Sequence, residues 1–149
     1  MRLLQQLYSQ LVKLLNCAAP AGDLLIRLWV ASVFFKSGLT KIQNWDGTLY
    51  LFQNEYHVPL LPPELAAYAG TATELCFPVL LALGLGTRLT AGVLFVFNII
   101  AVLSYPDLGE VGLKDHQYWG LLLLVPLLHG PGKIALDYLI GKRCAKCKV

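Results

Sequence analysis

The spacing of apolar side chains predicts the helices of this chain one after another. In residues 1–16, Leu4, Leu7, Leu11, Leu14 and Leu15 recur at helical intervals, while Gln5, Gln6, Ser9, Lys13 and Asn16 fill the other face. That pattern predicts an amphipathic helix, lying on a membrane surface or packed on a partner. It is too polar and too evenly patterned to be a cleavable signal peptide. Pro20 and Gly22 break the pattern, and Asp23 is placed to cap the next helix.

Four apolar runs come next, at about residues 23–41, 64–85 and 88–105, and from somewhere after Gly112 to His129. A spanning helix needs about 20 residues at 1.5 Å each, so each run is expected to cross a membrane, the last two near the minimum length. Residues 84–88 leave almost no loop, which makes the second and third runs antiparallel neighbours. Gly130-Pro131-Gly132 is expected to end the fourth helix and to start a short interfacial helix through Ile140, because Pro131 has no amide hydrogen to donate. The expected fold is all-α: a polytopic membrane four-helix bundle with an N-terminal amphipathic helix and a short C-terminal interfacial helix. The segments are an interfacial stretch at 1–17, a transmembrane domain at 18–141 and a basic tail at 142–149.

Composition supports lipid as the solvent. Of 149 residues, 56% are hydrophobic and only 14% charged, against about 25% charged in soluble domains; the mean hydropathy is +0.59. The length allows one domain. A net charge of +3 is too weak and dispersed for a nucleic-acid footprint. Four cysteines are too few and too scattered for a secreted disulfide scaffold. Nine of the twelve basic residues fall on the side that holds both termini, and only Lys36, Lys41 and Lys114 on the other, which predicts cytoplasmic termini. The opposite side receives two longer loops, 42–63 and 106–117, with Trp45, Tyr50, Tyr56, Tyr68, Tyr105 and Trp119 clustered near that interface.

Ionisable groups at membrane depth are costly, which makes them candidates for function. On the first span, Arg27, Ala31, Phe34, Gly38 and Lys41 form one stripe, whereas Lys36 points elsewhere and is expected to snorkel. Gly38 lets another helix approach Arg27 and Lys41 closely. Glu74 on the second span and Asn98 on the third lie near mid-depth, and Glu74 could stay ionised beside Arg27 or Lys41. An Arg27–Glu74–Asn98 cluster would serve either as structural glue or for ligand and proton handling. His57 and His116 fall in the loops and His129 at a helix end; none has zinc-like spacing, and no metal site is expected. Cys144 and Cys147 form a C-x-x-C in the basic tail, a candidate redox pair or a dangling reduced one. Cys17 and Cys76 read as membrane-packed thiols. An amphipathic ligand with carbonyl oxygens needs an apolar slot with one or two polar groups, which Arg27, Glu74 and Asn98 could supply.

The order Arg27, Gly38-x-x-Lys41, Glu74, Gly84-x-x-Thr87-Arg88, then Gly130-Pro131-Gly132 with Asp137 resembles the DoxX family of small membrane proteins. The resemblance runs from about Leu24 to Leu139, with Ala135 where the family pattern has Ser; the C-x-x-C tail lies outside it. It implies a four-helix bundle in the bacterial inner membrane with both termini inside. It also implies kinship with membrane subunits of quinol oxidase and thiosulfate–quinone oxidoreductase systems, and with oxidative-stress and thiol-stress complexes. The leading functional expectation is an accessory or quinone-proximal subunit of such a redox system. The alternatives are a binding or transport module for a small hydrophobic ligand, and an anchor recruiting soluble redox enzymes. Partners compatible with these readings are the bilayer, redox proteins and further copies of the chain.

Overall fold

A computed structural model describes the backbone of residues 1–146 and the side chains as far as Arg143. Among the described residues there are six helices: α1 (Arg2–Gln43), α2 (Trp45–Asn54), α3 (Pro63–Leu83), α4 (Thr87–Ser104), α5 (Gly109–His129) and α6 (Leu136–Lys146). The C-x-x-C pair, Cys144 and Cys147, lies outside the residues whose side chains are described.

The expected break near Pro20 is absent. α1 runs unbroken for 42 residues with Pro20 inside it. A proline removes one backbone donor and crowds the carbonyl four residues earlier, but helix-forming residues on both sides carry the helix through. The first of the two long loops contains α2, which begins where the Asn44 side chain accepts from the Gly47 amide at 3.1 Å. The second shrinks to residues 105–108, because α5 starts at Gly109 rather than after Gly112. The last helix starts later than expected, at Leu136, and continues beyond Ile140.

α3 opens with Pro63 in its first turn, where a missing amide costs nothing, and closes at Gly84 with φ +71°. Gly86 is also left-handed, at φ +55°, so the α3–α4 turn reverses the chain within three residues. α5 ends at Gly130, φ +93°, and Gly132 is likewise left-handed, so the Gly-Pro-Gly segment does terminate the helix.

α1 packs on α3 and α5, and α4 packs on α3 and α5. Their shared interior holds Val30, Phe34, Leu81, Ala91, Leu94 and Leu123. A second cluster, around Phe52, Ala66 and Ala67, fastens α2 to the start of α3. Several of the expected interface aromatics meet beside it, with Trp45 4.7 Å from Tyr68 and Tyr56 5.0 Å from Tyr105 between ring centres. Trp119 instead packs on Phe34 in the interior.

α1, α3 and α4 are long and apolar enough to cross a membrane. α5 is as long as α3, but Glu110, Lys114, Asp115 and His116 occupy its first turns and leave its apolar part short. Most large apolar side chains on the outer faces, among them Trp29, Leu89, Leu103 and Leu121, are exposed, as helices solvated by lipid require.

Candidate functional site

The polar residues singled out in the sequence gather into three separate centres, one at the turn end of α3 and two deeper among the helices. The Arg27–Glu74–Asn98 cluster does not form. Each member has its own partners.

Arg27 is 1% exposed. It donates from Nη1 to the carbonyl oxygens of Leu81 at 3.3 Å and Ala82 at 3.4 Å, and from Nη2 to that of Ile134. The last carbonyls of a helix have no intrahelical donor and carry partial negative charge, so a guanidinium there both satisfies and neutralises them. Arg27 thereby ties α1, the end of α3 and the segment before α6. Gly84 is what makes room for it: a Cβ there would collide with Arg27 Nη1 and lie 2.5 Å from Ala135 Cβ.

The segment is closed from its far side by Asp137. Its carboxylate accepts from the Gly86 amide at 2.9 Å, the Thr87 amide at 2.8 Å and the Thr87 hydroxyl at 2.9 Å, while its own amide donates to the Gly84 carbonyl. These are the free amides at the start of α4, where an anion is favoured. Burial pushes the Asp137 carboxyl up, but these hydrogen bonds, with the Arg27 charge behind them, hold it below the usual carboxylate value. Asp137 reaches no arginine through an ion pair; its partners are Thr87, which the Gly84-x-x-Thr87-Arg88 motif contains, and Gly86, which sequence reasoning did not select. The adjacent Gly86-Thr87 step that opens α4 was the available signal. Arg88 turns instead to the Leu128 carbonyl, 3.4 Å away, beside Gly130.

The second centre lies near the middle of α3. Lys41 Nζ meets Glu74 Oε2 at 2.5 Å and the Ser37 hydroxyl at 3.0 Å, and Ser37 donates to Glu74 Oε1 at 3.1 Å. Lys41, rather than Arg27, is therefore the counter-ion of Glu74. The approach depends on Gly38, since a Cβ there would lie 2.9 Å from Leu75 and 3.0 Å from Glu74. One turn from Glu74 on the same helix face, the buried Thr71 hydroxyl has no hydrogen-bond partner among the described residues. Thr73, by contrast, bonds back to the Ala69 carbonyl at 2.8 Å, as a helical threonine ordinarily does.

In the third centre, Asn98 Nδ2 donates to the His116 carbonyl at 2.9 Å and Asn98 Oδ1 lies 2.8 Å from His116 Nδ1. An amide oxygen can only accept, so His116 carries its proton on Nδ1. His116 stands inside α5 and not in a loop. His57 remains in a connection, its amide bonded to the Ser104 carbonyl at 2.7 Å. Lys36 is exposed, as expected of a snorkelling lysine. Cys17 and Cys76 are free thiols exposed on helix surfaces. Among the described residues, no group of three or more His, Cys, Asp or Glu side chains could hold a metal ion.

The family model for DoxX matches residues 22–106. An uncharacterized protein of Haemophilus influenzae is 34% identical over 139 residues, covering 87% of this chain and 90% of its own. A Bacillus subtilis protein named "Putative oxidoreductase CatD" is 32% identical over 131 residues, covering 86% and 93%. The "Inner membrane protein YphA" of Escherichia coli is 32% identical over 134 residues, covering 82% and 92%. No solved structure matches the chain significantly. With more than half its length matched by the family model and near full-length relatives above 30% identity, the chain belongs to the DoxX family.

Proposed function

We propose that this protein is an inner-membrane four-helix bundle with both termini cytoplasmic, serving as an accessory, quinone-proximal subunit of a respiratory or oxidative-stress redox system. The observation that carries the reading is the Lys41–Ser37–Glu74 centre with the unpartnered Thr71 hydroxyl one turn away. A quinone carbonyl calls for hydrogen-bond donors within an apolar wall. Lys41 and Thr71 supply donors, and Glu74 is a carboxylate able to exchange the proton that accompanies an electron. The unused Thr71 hydroxyl fits such a ligand better than it fits a closed apolar core, where an unpaired polar atom costs about 1–3 kcal/mol. The name of the Bacillus subtilis relative supports redox work, and that of the Escherichia coli relative supports the inner membrane. A quinone bound there would supply the electron chemistry, with donor and acceptor provided by partner subunits.

The test is solvent extraction of the purified protein to identify a retained quinone, followed by titration with a short-chain quinone. The native chain should retain or bind quinone, and Thr71→Val and Glu74→Gln should each weaken binding by about tenfold, the loss of one good hydrogen bond. A native protein that neither retains nor binds quinone overturns the reading.

A further inference from the structure

α1 is 42 residues long, about 63 Å at 1.5 Å per residue, or twice the roughly 30 Å of a bilayer's hydrocarbon core. Its first buried residue is Arg27. A long N-terminal arm therefore precedes the part of α1 that packs into the helical body. The side of the arm turned to that body carries Asn16, Ala19 and Asp23, which line a groove with His129, Gly132 and Lys133.

The other side is apolar and regular. Leu4, Leu7, Leu11 and Leu14 follow at alternating steps of three and four residues, and all are more than half exposed. Ala18 and Ala21 continue the same steps at the join between arm and body, and Leu25 and Leu28 extend them along the outer face of α1. All four are exposed. At about 100° per residue, Leu25 and Leu28 point roughly 135° away from the buried face of α1. A repeat of 3.5 residues sustained over this length favours a left-handed coil with another helix.

We propose that this stripe is the seam of a parallel coiled coil with a second copy of the same chain. The flanking positions are Leu3, Tyr8, Gln10, Leu15 and Cys17, none charged, while Arg2 and Lys13 fall on the outer side. In a parallel pair the residues on one flank of a helix face those on the opposite flank of its partner, and with no charge on either flank an identical chain meets no repulsion there. A partner of opposite charge would instead call for charge beside the seam. An anionic lipid surface would call for a strongly basic polar face, whereas Gln5, Gln6, Ser9 and Asn16 dominate that face here. The unbroken course of α1 through Pro20 also carries the arm on from the packed segment. Two copies entering one membrane in the same direction run parallel, and the small Ala18 and Ala21 let their backbones approach closely at its surface.

The experiment is a single-cysteine scan in native membranes, in the full chain with Cys17, Cys76, Cys144 and Cys147 changed to Ser. Oxidation should join two chains when the cysteine replaces Leu7, Leu11 or Leu14. The yield should fall about tenfold or more at Ser9, Lys13 and Asn16, whose positions lie beyond disulfide reach across the seam. In parallel, Leu7→Glu combined with Leu14→Glu should convert the detergent-purified dimer to monomer without changing the melting of the helical body. Absence of adducts at all six positions, equal adducts at all six, or a dimer that survives both glutamates overturns the proposal.

Discussion

Asp137 holds Thr87 twice, at 2.8 Å through its amide and 2.9 Å through its hydroxyl, across 50 residues of sequence. One carboxylate thus does for α4 what a capping residue normally does from inside its own helix. Asp137→Ala should cost about 0.5–2 kcal/mol of stability, the range of a lost helix cap. Because the folded carboxyl is held below its usual value, its contribution is complete above the unfolded value of about 3.9 and is lost as pH falls through the lower folded one. The difference in melting temperature between native and Asp137→Ala should therefore be constant above about pH 5 and shrink below about pH 4. A difference that grows on acidification would contradict the assignment.

Glu74 and Lys41 form the ion pair among the interior helices, at 2.5 Å. Removing one partner of such a pair costs about 3–5 kcal/mol in soluble cores. Glu74→Gln should destabilise strongly, and Lys41→Met in the same chain should restore much of the loss, as read by thermal unfolding in one detergent. Arg27→Gln should give no such rescue, because Arg27 bonds to carbonyl oxygens and not to Glu74.

Gly84 is irreplaceable on two counts, its φ of +71° and the contact that any Cβ would make with Arg27 and Ala135. Gly84→Ala should cost about 1–3 kcal/mol for the backbone alone, and more from displacing Arg27. Gly22, with nothing within 4 Å of a Cβ, should accept alanine with no loss or a slight gain in helix stability. Parallel melts of the two variants check the contrast.

Topology is open to a direct test. The nine-to-three division of basic residues predicts that a reporter active only in the cytoplasm works at Val149 and fails in the connection near Asn54. The opposite pair of results would reverse the orientation.

Much of the helical architecture was legible because a 3.6-residue period and left-handed glycines act locally. α3 and α4 begin and end within two residues of the positions read from the apolar runs, and Gly130 ends α5 as the Gly-Pro-Gly segment indicates. Residue type also marked Arg27, Lys41, Glu74 and Asn98 as polar groups in an apolar chain, and the family resemblance marked Asp137. Pro20 was misleading for a local reason too: proline weakens a helix by one hydrogen bond, and whether the helix bends, stops or continues depends on what surrounds it. Pairing was decided only by tertiary structure. A lysine near the end of α1 reaches down to Glu74, the guanidinium of Arg27 is captured by carbonyls brought to it by α3 and by the segment before α6, and Asp137 is aimed at amides 50 residues away. Helical period fixes the face on which each charge stands, but the helix that comes to lie against that face depends on packing among distant segments, which no local pattern encodes.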